Sequence, residues 1–408
     1  MRLAFVDLEF SWPPPGGAQI DLVNTMMELE ALGHEVHLFA AEDESLWRFG
    51  DIDPSIPIPV SRLGFPRRPF TGMGLGEKFR VAVDAWRPDV VFLCFGFFLK
   101  VELARALSHY PLITRYSTYE MLCIRDFYLF KEETTCPNSF LKTPNICRRC
   151  FVSSWKDGIL HTGLSAYARE FIEVDGFSSR FYREFVEHIQ NFNGIVVYNE
   201  MTRQRLLEFN SNVHVVTGGV RIEDFKHTPL PNRAPGEKTV IFMAGRVDDP
   251  TKGVDTLMKA CHILASHRDD FELWLTVNDV PVQYPWLKCV GWMPHEALIE
   301  KYKEVDIFVV PSQWDEPFGL VAVEAMATGR PVCASRVGGL QHIVEHEETG
   351  LLFERGDYAA LSFHLARLLD DTPLRERFGQ AARQRAETFD WKEVVARSYP
   401  PLLESVTR

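Results

Sequence analysis

The chain has 408 residues, enough for two or three domains with cores of ordinary size. Its 44 Lys and Arg against 56 Asp and Glu leave a net charge of −12, which excludes a nucleic-acid binder with a dominant basic face. No apolar run approaches the roughly 20 residues that span a bilayer, and Asp7 and Glu9 interrupt the opening apolar run, against a signal-peptide core; a cytoplasmic protein is expected, at most in peripheral contact with the inner face of a membrane.

In chain order, Leu3-Ala4-Phe5-Val6 reads as a short buried strand and Trp12 to Gly17 as a loop. A helix over 18–32 follows, stopped by Gly33, and then the strand Val36 to Ala40. This βαβ opening predicts a parallel, doubly wound sheet. Gly16 and Gly17 allow backbone amides to approach a phosphate, or make a simple tight turn. Glu42 and Asp43 imitate the ribose reader of a dehydrogenase, but the G-x-G-x-x-G fingerprint is absent. Residues 60–80, rich in Gly, Pro, Arg and Phe, read as an irregular surface loop whose Arg67 and Arg68 face an anionic acceptor, a membrane surface or only solvent. Stretches 89–94 and 112–116 are further buried strands.

Four of the eight cysteines cluster as C-x12-C-x10-C-x2-C at Cys123, Cys136, Cys147 and Cys150. In a cytosolic chain that spacing fits a structural zinc held by thiolates, isolated thiols packing a loop, or a redox pair. Phe181, Phe185 and Ile189 recur at helical spacing, and 194–199, 201–209 and 213–216 read as strand, helix and strand. The Pro-rich polar stretch 226–238 reads as a linker between a first domain at 1–225, with its Cys-rich insertion at about 120–152, and a second at 239–388. A last helix falls in 389–408.

The second domain opens with the strand Thr239 to Ala244. Arg246 and Lys252 follow on a loop leading into a helix, a planar fork and a point charge that suit two phosphates. Asp248 and Asp249 offer the alternative of a salt-bridged turn. Further on, Ile307 to Val310 is a strand, Gly319 to Thr328 a helix and Pro331 to Ser335 the next strand. Glu316 precedes that helix, and Glu324 is the single charge between Leu320 and Thr328. A carboxylate among apolar neighbours is costly unless something donates to it, and vicinal sugar hydroxyls are suitable donors. Gly319 removes a side chain at the helix tip, where free N–H groups attract anions. Anion at the tip and hydroxyls on two carboxylates suit a nucleoside diphosphate sugar; an amphipathic helix with one solvated Glu is the plainer alternative.

The stretch EPFGLVAVE resembles the E-x7-E motif of the retaining glycosyltransferases of GT-B fold, family 4, also called glycosyl transferases group 1. Gly245-Arg246 with Lys252-Gly253, Gly338-Gly339 and Thr349-Gly350-Leu351-Leu352 resemble its other signatures, and Gly218 to Arg221 resembles its N-G-V-D turn with two substitutions. The resemblance is specific from about residue 240 onward and weaker before 225. It implies an α/β fold of two Rossmann-like domains facing across a cleft, with a final helix, anchored by Trp391 and bent at Pro400-Pro401, crossing back to the first. It implies retaining, metal-independent transfer from a UDP- or GDP-linked sugar to a hydroxyl of a glycan, lipid or small molecule, with no cofactor in catalysis. On that pattern the donor site comprises Gly16, Gly17, Arg246, Lys252, Trp292, Met293, Glu316, Phe318, Gly319, Leu320, Val321 and Glu324. Glu316, Arg246 and Lys252 are the catalytic candidates, Glu324 takes the ribose, and Trp292 stacks on the base or fills a core. The family's usual histidine after the strand at 112–116 is missing; Ser117, Thr118 and Glu120 stand there as acceptor-side candidates. A nucleotide-sugar hydrolase or epimerase, and a non-catalytic nucleotide-sugar sensor or scaffold, are the alternatives on the same fold.

Overall fold

The computed structural model describes residues 1–14, 16–43, 51–66, 74–126, 128–159, 166–280 and 282–407; Arg67 and Arg68 lie outside the described residues. The chain packs as two compact units. The first comprises Met1–Leu129, Cys136–Thr217 and Val395–Arg408, the second Phe130–Thr135 and Gly218–Val394.

In the first unit β1 (Arg2–Asp7), β2 (Glu35–Asp43), β3 (Val60–Phe65), β4 (Val90–Leu93) and β5 (Leu112–Tyr116) come first. A small antiparallel hairpin, β6 (Phe130–Lys131) and β7 (Thr134–Thr135), belongs to the second unit. With β8 (Gly194–Val197) and β9 (Val213–Val215) the first sheet is complete, in the order β3-β2-β1-β4-β5-β8-β9 with every pairing parallel. All residues of β4 and β5 are buried; β4 reads as an unbroken apolar run rather than an alternating one, whereas β5 carries Thr114 and an Arg115 paired with Asp21. Phe5 and Phe92, partners in register, stack at 4.6 Å.

The described residues of 60–80 differ from the expected irregular loop. β3 forms an edge strand on β2, and a helix spans Leu75–Trp86. Its Leu75, Phe79 and Val83 are fully buried at a spacing of four, and Phe79 stacks on Phe65 at 6.3 Å. An edge strand packs on one neighbour only, so its sequence tolerates Ser61, Arg62 and Gly64, which hide the strand pattern.

The second unit holds β10 (Thr239–Met243), β11 (Phe271–Leu275), β12 (Leu287–Cys289), β13 (Ile307–Val310), β14 (Val332–Ser335) and β15 (Gly350–Phe353), ordered β12-β11-β10-β13-β14-β15 and again all parallel. Ile241, Leu273, Ile307, Cys333 and Leu351, one from each of five strands, meet Leu257, Leu365 and Phe378 from helices in one dry core. In both sheets the strand order reverses beside the first strand, between β1 and β4 and between β10 and β13. Ligands of such sheets bind outside the carboxyl ends at this point.

The passage between units falls at Thr217–Gly218, ahead of the Pro-rich stretch. That stretch is no free linker: Arg330 donates to Thr228 Oγ1 at 2.6 Å and to the Pro229 carbonyl at 3.3 Å, and Arg233 pairs with Asp306 at 2.8 Å, so it packs with the second unit. The last helix, Trp391–Thr407, begins in the second unit, and its remainder belongs to the first. It runs on through Pro400 and Pro401. Each proline removes one helical hydrogen bond, but Tyr399, Leu402 and Leu403 are buried and hold the backbone in place. Among the described residues no helix is long and apolar enough to cross a membrane.

Candidate active site

The site is best defined in the second unit, at the carboxyl ends of β10 and β13. After β10 the chain turns through Gly245, whose φ of 109° is left-handed and whose N–H and C=O are both bonded by the Thr276 hydroxyl at 3.1 and 3.0 Å. Asp249 then caps a short turn over Pro250–Lys252, accepting from Thr251 N at 2.9 Å and Thr251 Oγ1 at 2.6 Å. Gly253 follows at φ 78°, pressed so closely on the loop after β13 that a Cβ would lie 1.9 Å from the Pro311 carbonyl oxygen. Gln313 N, donating to Thr251 O at 2.7 Å, ties the two loops together.

This close approach delivers Lys252 to Glu316. Its Nζ lies 2.6 Å from Glu316 Oε1 and 5.3 Å from the centre of the Trp314 ring. Ser312 Oγ donates to the same carboxylate oxygen at 2.7 Å. Among the described residues Glu316 Oε2 has no hydrogen-bond partner. Arg246 is 61% exposed and only loosely held, 3.5 Å from Asp249. The salt-bridged turn of the sequence analysis is thus half realised: Asp249 meets Arg246, whereas Lys252 has a different partner.

Asp315 fixes the loop from behind. It accepts from Gly338 N at 3.1 Å, pairs with Arg355 at 2.9 Å and takes a short hydrogen bond from Thr135 on the hairpin β6–β7. Gly338 and Gly339 must be small, since a Cβ on either would fall 2.2 Å from Glu316 O or 2.5 Å from Phe318 O. Phe318 is buried against Phe389 at 5.7 Å. Gly319, at φ 118°, opens the helix Leu320–Ala327; no side chain caps that end, and Leu320 and Val321 are only half-buried. Ala322 N donates to Gly319 O at 2.9 Å, which leaves the Leu320 and Val321 N–H groups of the first turn for a ligand.

Glu324 lies on the same helix in a different setting. It is 3% exposed and accepts from His295 Nε2 at 2.8 Å and Tyr302 OH at 2.9 Å. His295 and Tyr302 bound the helix His295–Tyr302, two turns apart on one face. Neither was picked out from the sequence, although their seven-residue spacing is a legible sign. Trp292 is 74% exposed, which removes it from any core, and Met293 is half-buried.

The Glu324 hydrogen bond is the largest cause raising the His295 pKa above its ordinary 6.5; burial opposes it, and Glu324, Glu296 and Asp224 add their charge. A histidine with a raised folded pKa stabilises fully below the unfolded value, and that contribution is lost as pH rises through the folded value. The expected result is a melting-temperature gap between wild type and His295→Gln that is widest below pH 6.5 and narrows as the pH rises above it. A gap independent of pH in thermal melts contradicts the pairing.

In the first unit Glu120 is buried, accepting from Thr118 Oγ1 at 2.6 Å and from Lys100 Nζ at 3.3 Å. Lys100 also donates to the Arg115 carbonyl at 2.8 Å, and burial pulls its pKa down while Glu120 raises it. Sequence reading missed Lys100, the single charge in the run Phe95 to Val101. Ser117 is half-buried. At the end of β1, Asp7 is pushed up to about 7 by burial, although Glu9 N and Phe95 N donate to it at 2.8 and 3.3 Å. Gly16 caps the helix Gly17–Ala31 without a side-chain bond, and a Cβ there would meet nothing nearer than 3.9 Å, so the fold itself does not demand glycine.

Cys123, Cys136, Cys147 and Cys150 are free, half-buried thiols. Burial pushes Cys123 up to about 12 and Cys147 up to about 11. Among the described residues no three His, Cys, Asp or Glu are placed to hold a metal ion.

Two parallel Rossmann-like sheets, with a basic loop, an open helix tip and two buried carboxylates on the second, define the GT-B glycosyltransferase class of fold. Residues 287–385, which lie in the second unit, match the family described as glycosyl transferases group 1. The D-inositol 3-phosphate glycosyltransferase of Corynebacterium efficiens is 51% identical over 98 residues, 24% of this chain and 23% of that protein. The phosphatidyl-myo-inositol mannosyltransferase of Mycobacterium leprae is 28% identical over 213 residues, 50% and 57% of the two chains. The matched stretches thus span between 23% and 57% of these curated relatives. Among solved structures, sucrose-phosphate synthase from Thermosynechococcus elongatus matches with a TM-score of 0.69 at 20% identity, over 99% of this chain and 98% of that one. Anabaena HepE, solved in complex with UDP, matches with 0.67 at 17% identity over 99% and 100%. At such identities the likeness shows the fold.

Proposed function

We propose that this chain transfers a glycosyl group from a nucleoside diphosphate sugar to an acceptor hydroxyl, with retention at the anomeric carbon and without a divalent ion in the chemistry. The observation that carries this reading is the Lys252–Glu316 pair at 2.6 Å, set at the strand-order reversal of the second sheet beside an uncapped helix. Breaking the sugar–phosphate bond puts negative charge on the β-phosphate. Arg246, Lys252 and the amides at Gly319 and Leu320 are the groups that take it up, donors aimed at developing charge. Glu316, with Oε2 open, accepts from sugar hydroxyls and supports positive charge at the anomeric centre. Glu324 takes the ribose.

On the acceptor side the reading uses Ser117, Thr118 and Glu120, and the open space at Gly16 allows a ligand close to the backbone there. Relatives named for inositol 3-phosphate and for phosphatidyl-myo-inositol favour a sugar- or polyol-like hydroxyl, free or lipid-borne. The UDP and UDP-glucose complexes of HepE favour a uridine donor over a guanine one.

The test is a thermal-shift screen with UDP-, GDP- and ADP-sugars. A ligand at about 100 times its Kd stabilises by about 2.7 kcal/mol, so one donor series is expected to raise the melting temperature by several degrees. Incubating that donor alone and finding rapid release of free sugar or an epimer would turn the assignment towards a hydrolase or epimerase. No shift with any donor removes the nucleotide-sugar reading.

A further inference from the structure

Of the two carboxylates in the site, Glu324 is the more buried, yet among the described residues no lysine or arginine reaches it. A neutral-capable pair holds it instead, His295 Nε2 on Oε1 at 2.8 Å and Tyr302 OH on Oε2 at 2.9 Å. We propose that His295 and Tyr302 are positioning residues that set the Glu324 carboxylate to receive the vicinal hydroxyls of a ribose, which makes their helix the element that selects ribonucleotides over deoxyribonucleotides. This rests on the reading of Glu324 as the ribose acceptor.

The stereochemistry supports the role. An ionised carboxylate has about four acceptor positions, two on each oxygen. The two protein donors occupy one position on each oxygen and leave one on each, the number a 1,2-diol needs. The terminal torsion of a glutamate is broad and roughly two-fold, so one donor on one oxygen leaves the plane free to turn. A donor on each oxygen fixes it. Tyr302 is anchored for this work: it is 0% exposed, with its ring 6.0 Å from Phe242 and 5.3 Å from Phe308. Burial and the neighbouring Glu324 push its pKa well above the ordinary phenol value, so it remains a donor. His295 is 40% exposed on its side chain, with Phe225 at 6.2 Å. The pair therefore has one buried and one solvent-facing member. An arginine fork would hold the carboxylate more strongly but take up more of its acceptor positions.

The experiment measures binding of UDP and GDP, each beside its 2′-deoxy counterpart, by calorimetry on the full chain. Wild type is expected to prefer the ribonucleotide at least about tenfold, because a site built to bond a hydroxyl leaves polar groups unpaired when it is missing. Tyr302→Phe, which keeps the packed ring, and His295→Ala are each expected to shrink that preference to about threefold or less. His295→Gln, which retains an N–H donor of similar reach, is expected to keep most of it. A merely structural role for the pair would weaken both nucleotides equally and leave the ratio unchanged. Glu324→Gln is the reference. If it leaves the preference intact, or if neither nucleotide binds wild type, the ribose assignment of Glu324 falls and the inference with it. If Glu324→Gln abolishes the preference while Tyr302→Phe and His295→Ala both retain it, the positioning role alone is overturned.

Discussion

Arg246→Ala and Lys252→Ala are each expected to lower glycosyl transfer by about 10²–10³-fold, the usual loss when one preorganised donor to developing charge is removed. The two variants differ in how cleanly they report it. Arg246 is 61% exposed, and among the described residues its ion pair is a loose one with Asp249 at 3.5 Å, so its truncation disturbs little of the fold. Lys252 is 22% exposed and bonded to a Glu316 that is 10% exposed on its side chain. Removing it leaves that carboxylate with Ser312 on the same oxygen and no cation, at a cost of about 1–3 kcal/mol. Lys252→Ala should therefore lose both activity and melting temperature, and Arg246→Ala activity alone. Lys252→Arg does not restore function, because the planar fork cannot occupy the place of a point charge against Glu316 and the Trp314 ring. Turnover assays with the donor found by thermal shift, alongside melts of each variant, decide the matter. Wild-type turnover in Arg246→Ala and Lys252→Ala would end the assignment of the phosphates to this loop.

How much of this was legible in the sequence depends on the range of the interactions that build it. The parallel strands were, because burial on both faces leaves runs such as Val90 to Leu93 without a polar residue. The loop carrying Glu316 and the helix tip at Gly319 were also legible, since a glycine, a proline and a lone carboxylate stand together there. Partners far apart in sequence were not. Glu324 was read as waiting for a ligand, whereas His295 and Tyr302, on another helix, already hold both its oxygens. The tie from Asp315 to Thr135, 180 residues earlier, leaves no local pattern at all. Composition also misled at 226–238, where prolines and polar residues suggested a free linker. Their carbonyl and hydroxyl groups are occupied by an arginine a hundred residues away.

That arginine carries the second large effect: Arg330→Met is expected to destabilise the protein by about 3–5 kcal/mol, because several buried oxygens lose their donor at about 1–3 kcal/mol each. Arg330 is 0% exposed, and every contact it makes is to an oxygen without formal charge. Its Nε donates to Tyr302 O at 2.8 Å, and its Nη2 to Thr228 Oγ1 at 2.6 Å and Lys303 O at 3.4 Å. Both terminal nitrogens reach Pro229 O at 3.3 Å. Burial brings the guanidinium down to about 10, with Asp306 acting in the opposite sense. The cation sits at the carboxyl end of the helix His295–Tyr302, where the last carbonyls and the helix dipole favour positive charge. Methionine fills a similar volume but satisfies none of these oxygens. A lysine reaches one or two of them at best, so Arg330→Lys should fall between the two. The consequence passes to the site, because the helix held by Arg330 carries both groups that hold Glu324. Denaturant unfolding should show the loss, and nucleotide affinity of the folded variant should fall with little change in the turnover of bound donor. A loss below about 1 kcal/mol, within the range of ordinary surface substitutions or close to it, would mean that the 228–229 segment and the helix end are held by something other than this guanidinium.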